Sequence, residues 1–258
     1  MGVLGGEFAY RFLRWYAPGG ATNGMDGSAY ANTSKLRVLL GDQVVSELRG
    51  KDVIDFGCGD GAETIELAES GARTVVGVDV QSFRFAAAMQ RAAAAGVATR
   101  VRFVECADSS ADLIVSIDSF EHFSAPDEIL RIMASLLQPR GRVLVSFGPT
   151  WYHPLGGHLF SVFPWAHLLF TEAALIRWRS DFKTDGATRF GEVAGGLNQM
   201  TVGRFESLVA QSPLRIVRFE AVPIRRLKRF ATAFTREFTT AIVRCTLERR
   251  DDVREATG

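Results

Sequence analysis

Three glycines alternate at Gly57, Gly59 and Gly61, with Asp55 two residues before the first and Asp79 about twenty residues beyond. Glycines in that spacing let a backbone turn sharply and leave no Cβ to block a ligand lying against it. A helix starting near Ala62 would then point its N-terminal amides at that ligand. A carboxylate at Asp79, ending the following strand, can accept hydrogen bonds from both hydroxyls of a ribose. The pattern therefore calls for a nucleoside-bearing ligand.

Two such ligands fit the glycines. Gly57, Gly59 and Ala62 satisfy the relaxed G-x-G-x-x-A dinucleotide fingerprint, which would make the chain an NAD(P)-dependent oxidoreductase. Asp55 argues otherwise, because a carboxylate there suits an ammonium group and would repel a pyrophosphate. Gly61 adds a third glycine, and the run 116–122, Ser-Ile-Asp-Ser-Phe-Glu-His, brings more polar groups to the same rim. A ligand with a cationic methionine end, S-adenosylmethionine, fits this acidic mouth better.

All four histidines, His122, His153, His158 and His167, fall in or beside that rim. In-line methyl transfer gains most from proximity and orientation, and a hydroxyl acceptor also gains from a base within hydrogen-bond reach. His158 and His153 flank the turn at 154–157, where an acceptor would approach, and rank first as bases. Asp118 follows, and His122 is read as orienting the pocket. Each also has a plain packing or hydrogen-bonding reading.

The elements that must hold these residues alternate. Strands are expected at 52–56, 74–79, 100–106, 112–117 and 141–147, and helices at 34–48, 62–70, 82–95 and 126–137. Gly71 and Gly96 close two of the helices, and Pro126 opens another. Strands alternating with helices of this length imply βαβ units, a parallel sheet and a site beyond the carboxyl ends of its strands. A helix ends at Ala210 with Thr201 as N-cap, and strands at 214–222 and 239–247 close the chain.

Between 150 and 200 the alternation stops. Trp151, Tyr152, Phe160, Phe163, Trp165, Phe170 and Trp178 crowd a segment read as an inserted helical cap that also lines an acceptor pocket. Closing such a lid would exclude water. Residues 1–50 read as an N-terminal helical cap segment, with a loose glycine-rich stretch at 19–27. The aromatics from Tyr10 to Tyr16 would either close over the cofactor or pair two subunits as a homodimer.

Several blocks resemble the class I, Rossmann-like S-adenosylmethionine-dependent methyltransferases, above all the small-molecule branch related to ubiquinone and menaquinone biosynthesis. They are 53–61 (Val-Ile-Asp-Phe-Gly-Cys-Gly-Asp-Gly), 77–80 (Gly-Val-Asp-Val), 112–117 (Asp-Leu-Ile-Val-Ser-Ile) and Glu121-His122. The resemblance covers roughly residues 50–147. It implies an α/β fold: a doubly wound, mostly parallel seven-stranded sheet with an antiparallel last strand, residues 51–258 forming the methyltransferase domain. It also implies that Asp79 holds the ribose and Val80 lines the adenine. Residues 106–108 approach the adenine amino group, Asp108 among them, while Ile117 and Asp118 lie near the methionine. Asp55, Gly57, Cys58, Gly59 and Gly61 complete the expected cofactor site. One departure stands out: 105–108 leads almost at once into Asp112, where the family has a longer loop.

Bulk properties bound the alternatives. The chain has 258 residues, long for one domain but common for a single α/β unit. With 30 basic and 29 acidic residues, the charge balance argues against a dedicated nucleic-acid binder. Cys58, Cys106 and Cys245 form no CxxC pair, which points to reduced thiols, a cytoplasmic setting and no metal site. The apolar run 155–170 is too short to span a bilayer and holds His158, Pro164 and His167, so it reads as a buried or interfacial segment, and the chain as one not expected to contact a membrane. The basic run 225–229 reads as a solvated face or an anion site. The expected function is methylation of a small organic acceptor, at a sugar, phenolic or secondary-metabolite hydroxyl. A non-catalytic cofactor-binding relative and a lipid methyltransferase at a membrane surface are the other readings.

Overall fold

Valine and isoleucine dominate the short runs that become strands, and their alternation sets which face each side chain covers. In the computed structural model, which describes residues 2–20, 33–41, 43–193 and 196–253, seven strands form one sheet. They are β1 (Asp52–Phe56), β2 (Thr74–Val78), β3 (Val101–Val104), β4 (Ala111–Ile117), β5 (Leu137–Phe147), β6 (Leu214–Pro223) and β7 (Thr240–Arg249). Their order is β3-β2-β1-β4-β5-β7-β6. Every pair from β3 to β5 is parallel, and β7 runs antiparallel to both β5 and β6. The strand order reverses between β1 and β4, which opens a crevice above their carboxyl ends.

Ten helices accompany the sheet among the described residues: α1 (Gly6–Tyr16), α2 (Lys35–Leu40), α3 (Gln43–Glu47), α4 (Ala62–Glu69), α5 (Phe85–Ala94), α6 (Pro126–Leu136), α7 (Ala166–Leu169), α8 (Glu172–Ser180), α9 (Val202–Ala210) and α10 (Arg236–Thr239). Period-two alternation sorts the strand residues. Ile54, Val76, Val143 and Val145 face one core with Phe120, Leu130, Met133 and Phe205 from α6, α9 and the loop after β4. Val53, Val75, Leu113 and Val115 face the other, with Leu36, Leu39, Leu48 and Leu67 from α2, α4 and the turn after α3. A third apolar cluster stands apart from both: Ala9 and Leu13 of α1 pack with Trp151, Phe160, Phe170, Leu175, Trp178 and Phe190.

Of the boundaries that differ from the sequence reading, three do so for a clear local reason. The helix expected over 34–48 is two short ones, because Gly41 takes φ +89° and ends α2. Ser34 still caps it, accepting from the Arg37 amide at 3.0 Å. The helix expected from 82 begins with one 3-10 turn, Ser82–Arg84. Strand β5 starts four residues early, because Leu137 is buried beside Ala111 and the register shifts before Leu113 meets Arg142. Most of the glycine-rich stretch at 19–27, and Gly195, lie outside the described residues.

Candidate active site

The loop after β1 is bound to the end of β2: the amides of Gly57 and Cys58 donate to the Val78 carbonyl at 2.8 and 3.1 Å. Gly57, Gly59 and Gly61 all have positive φ, +85°, +53° and +81°. They do different work. A Cβ on Gly57 would lie 2.5 Å from Ser119 Oγ, and one on Gly61 would lie 2.6 Å from the Phe103 ring. These two glycines close the loop onto its own protein. A Cβ on Gly59 would meet nothing nearer than 4.0 Å, so Gly59 alone faces open space. Cys58 is buried beneath the loop, and burial pushes its thiol pKa up, so it lines the site without nucleophilic character.

Asp79 holds this loop in shape. One carboxylate oxygen accepts the Gly59 amide at 2.8 Å and the other accepts the Gln81 amide at 2.8 Å. Each oxygen keeps a further lone pair for a hydroxyl. Beside it, Val80 is 86% exposed and Phe83 78% exposed, an apolar wall left open to water. A flat aromatic base laid on that wall would bury it. An exposed wall beside a two-oxygen acceptor and an open glycine fits the nucleoside half of S-adenosylmethionine.

Asp55 is not on the loop surface as its position suggests. It is 2% exposed, and Thr64 in the first turn of α4 donates to it at 2.7 Å. Burial, with Glu63 and Asp79 nearby, raises its pKa to about 7. Glu63 stands in the first turn of α4, where a dinucleotide would rest its pyrophosphate; that acid makes the dinucleotide reading weaker.

On the opposite wall, Ile117 is buried at the end of β4, and Asp118 follows with φ +48°. Its carboxylate meets Lys35 Nζ at 3.3 Å, and the same ammonium is 3.8 Å from Glu63. Burial raises the Asp118 pKa while Lys35 and His122 oppose the rise. Lys35 thus brings the N-terminal segment across the mouth of the site, and Ser34 adds a hydrogen bond to Glu66. The alternation of apolar residues in that segment gave no sign of this role.

Glu121 is buried, with one oxygen accepting the Gly148 amide at 3.3 Å. Its carboxyl is held well above the usual range by burial and by the Asp118 charge. Asn198 ties the same turn down by donating to the Phe120 and Phe123 carbonyls at 2.7 and 2.8 Å. Neither Asn198 nor Thr64 was singled out in the sequence, because each matters only through partners brought by the fold.

The four histidines separate by their backbone partners. His153 Nδ1 accepts the Leu155 amide at 2.9 Å, so in its neutral form the proton sits on Nε2 and the ring offers no free lone pair. His167 is buried, with Nε2 donating to the Trp151 carbonyl at 2.6 Å. His122 Nδ1 is 2.7 Å from the Gly196 carbonyl, which can only accept. That bond puts the proton on Nδ1 and leaves Nε2 of His122 bare. The His158 ring lies 5.2 Å from that of His122, on a residue held at φ +49°. Burial and the neighbouring imidazoles lower the His158 pKa to about 3. The spacing ranks His158 and His153 first as bases; of these two, His153 has its ring lone pair engaged by the Leu155 amide.

Asp108 is exposed and paired with Arg102, while Ala107 beside it turns inward against the core. The short connection to β4 leaves Asp108 on the surface. Among the described residues no group of three or more His, Cys, Asp or Glu is placed to hold a metal ion.

The methyltransferase domain family model matches residues 30–182, more than half of the chain, and the chain belongs to that family. Methyltransferase GfsG of Streptomyces halstedii is 34% identical over 104 residues, 38% of this chain and 37% of that protein. The ubiquinone biosynthesis O-methyltransferase of Neisseria meningitidis is 34% identical over 108 residues, 39% of this chain and 45% of that protein. The ribosomal protein L11 methyltransferase of Aliivibrio fischeri is 32% identical over 101 residues, 39% of this chain and 34% of that protein. The aligned part thus spans less than half of each relative. Among solved structures, an S-adenosylmethionine-dependent methyltransferase from Mesorhizobium loti superposes with TM-score 0.52 at 19% identity, covering 88% of this chain and 100% of that one. The cyclase SpnF superposes equally well, TM-score 0.52 at 16% identity over 80% and 78% of the two chains. These likenesses establish a Rossmann-like methyltransferase fold, mostly parallel with an antiparallel last strand.

Proposed function

We propose that the protein is an S-adenosylmethionine-dependent methyltransferase acting on a hydroxyl of a small organic acceptor. The cofactor supplies a methyl group on a cationic sulfur, open to in-line attack. Asp79 receives the ribose hydroxyls, Val80 and Phe83 cover the adenine, and Gly59 lets the ligand approach the backbone. Cys58, Ile117 and the amides around Gly57 and Gly61 shape the inner wall, and buried Asp55 favours the ammonium end.

The observation that carries the choice of a hydroxyl is the tautomer of His122. Its Nε2 lone pair is free by virtue of the Nδ1 bond to Gly196, so it can take an acceptor proton. His158, neutral across the physiological range, orients or accepts beside it and is too weak a base to act alone. Asp118 stabilises the imidazolium that forms, and the cap at 150–200 covers the acceptor. Both Asp118 and His158 hold left-handed backbone, a cost that functional residues commonly carry.

Calorimetry with S-adenosylhomocysteine and with NAD, followed by labelled-methyl transfer to hydroxylated, amine and protein acceptors, tests this reading. Expected are binding of S-adenosylhomocysteine, transfer to a hydroxyl, and loss of turnover in His122→Ala with ligand affinity kept. Binding of NAD alone overturns the cofactor, and binding without transfer to any hydroxyl overturns the reaction. Transfer to ribosomal protein in preference to small molecules overturns the acceptor class.

A further inference from the structure

The connection between β6 and β7 leaves the same edge of the sheet as the candidate site, since β6 runs parallel to β5. Its base is firmly anchored. Arg236 pairs with Glu206, Glu237 accepts the amides of Val202 and Gly203 at 3.1 and 2.7 Å, and the Ile224 amide donates to the Thr239 carbonyl at 2.7 Å. Thr232 and Thr235 close the tip with hydroxyl and amide bonds to each other. An ordered loop of this kind could fold its aromatics inward. Instead Phe234 is 98% exposed and Phe230 57% exposed.

The charges are sorted along the same segment. Residues 224–235 hold Arg225, Arg226, Lys228 and Arg229 and no acid. These four line one open concavity, and among the described residues none of them joins an ion pair, although Arg236 in the same connection is paired. The whole chain has a net charge of only +1, so this is a local concentration. The apolar tip, Ala231 to Phe234, projects past a cationic shoulder at 225–229. A groove for nucleic acid interleaves cations with stacking rings; here the four cations precede both rings along the loop, and Arg229 alone lies beside one, 5.7 Å over Phe230, among the described residues.

We propose that this hairpin docks the protein on a bilayer surface carrying anionic phospholipid. Phe234 and Phe230 enter the boundary between headgroups and acyl chains, and the four cations lie against the phosphates. The stems of the arginines reach along the apolar surface while their heads stay wet. Phe238 packs on Tyr152 at 5.0 Å between ring centres, which joins the hairpin to the first turn of the aromatic cap. If the methyl-transfer reading holds, an acceptor dissolved in the bilayer would arrive beside the cap; the docking itself does not rest on that reading.

Flotation of the full chain with phosphatidylcholine vesicles, and with vesicles in which about a third of the lipid is phosphatidylglycerol, tests the proposal. Association with the anionic vesicles alone is expected, weakening as salt is raised. Combined Arg225→Ala, Arg226→Ala, Lys228→Ala and Arg229→Ala should lower partitioning by about fivefold per cation. Phe230→Ala with Phe234→Ala should abolish it at moderate salt. Unchanged S-adenosylhomocysteine affinity in both variants shows that they fold, and that a failure of docking is separate from a failure of the cofactor reading. No association with anionic vesicles, equal association with both kinds, full binding by the charge variant, or preference for an RNA oligomer over vesicles each overturns the proposal.

Discussion

At the scale of single residues the candidate site depends on where protons sit. Asp55 titrates near 7 in the free protein because burial disfavours its charge. An ammonium group held nearby favours the charged form and lowers that pKa. The sign follows: binding releases a proton between the lowered value and about 7, so S-adenosylhomocysteine affinity should rise with pH toward 7 and level above it. Calorimetry in buffers of different ionisation heat would count the proton, and Asp55→Asn should flatten the profile. A flat profile in the unsubstituted protein would sink the electrostatic role of Asp55. The same burial makes the ionised carboxyl a cost to folding, so stability from this group declines as pH climbs from about 4 to 7.

The glycines allow a second residue-scale test. Gly57→Ala meets both a positive φ and Ser119 at 2.5 Å, whereas Gly59→Ala meets only the positive φ. Left-handed alanine costs about 1 kcal/mol, and the clash adds to it. Thermal melts should show Gly57→Ala as clearly the more destabilised, while Gly59→Ala should lose more ligand affinity than its stability loss implies. Equal effects on both would contradict the division of labour between them. The types and spacing of Asp55, the glycines and Asp79 were legible in the sequence. The burial of Asp55 and the tautomer of His122 were not, because Thr64 and Gly196 reach them only across the fold.

At the scale of elements, α1 and α8 close a core of their own with the aromatic segment that follows β5. Leu13 is fully buried in that cluster, away from both faces of the sheet. Tyr10 donates to Asp181 at 3.0 Å and Phe12 and Tyr16 pack on Phe163, so the N-terminal aromatics are occupied by the cap. The outer side of α1 still presents Phe8 and Trp15 to solvent. Leu13→Ala should destabilise by about 2–5 kcal/mol, as large-to-small core changes do. Because this cluster does not include the glycine loop, the loss should appear first in acceptor KM or turnover while S-adenosylhomocysteine affinity stays near normal. Loss of cofactor binding in step with loss of turnover would show that the cap does not act separately. The crowding of aromatics after residue 150 announced a cap, but not its pairing with α1, since the two meet by packing, a hydrogen bond and ion pairs only across more than a hundred residues.

At the scale of the whole molecule, the alternation of strands and helices gave the order of elements from β1 to β5, with bounds shifted by up to four residues at β5, since each βαβ unit is a local matter of periodicity and caps. What periodicity could not give is the inward swing of the N-terminal segment, which sets Lys35 against Asp118 and Glu63 from outside the sheet. Two walls of one crevice are thereby contributed by segments distant in the chain: the loops after β1 and β2 on one side, and the segment from Asp118 through the cap on the other. A ligand bridging them stabilises only the folded state, by RT ln(1 + [L]/Kd). At a hundredfold excess over Kd that is about 2.7 kcal/mol, or a rise in Tm of roughly 5–10 °C for a chain of this size. S-adenosylhomocysteine should produce that rise and NAD should not. If the melt shows two steps, the ligand should move the one reported by the sheet and leave a cap transition, followed through tryptophan fluorescence at Trp151 and Trp178, closer to its original temperature. A rise with NAD, or none with S-adenosylhomocysteine, would mean that this crevice was built for a different ligand.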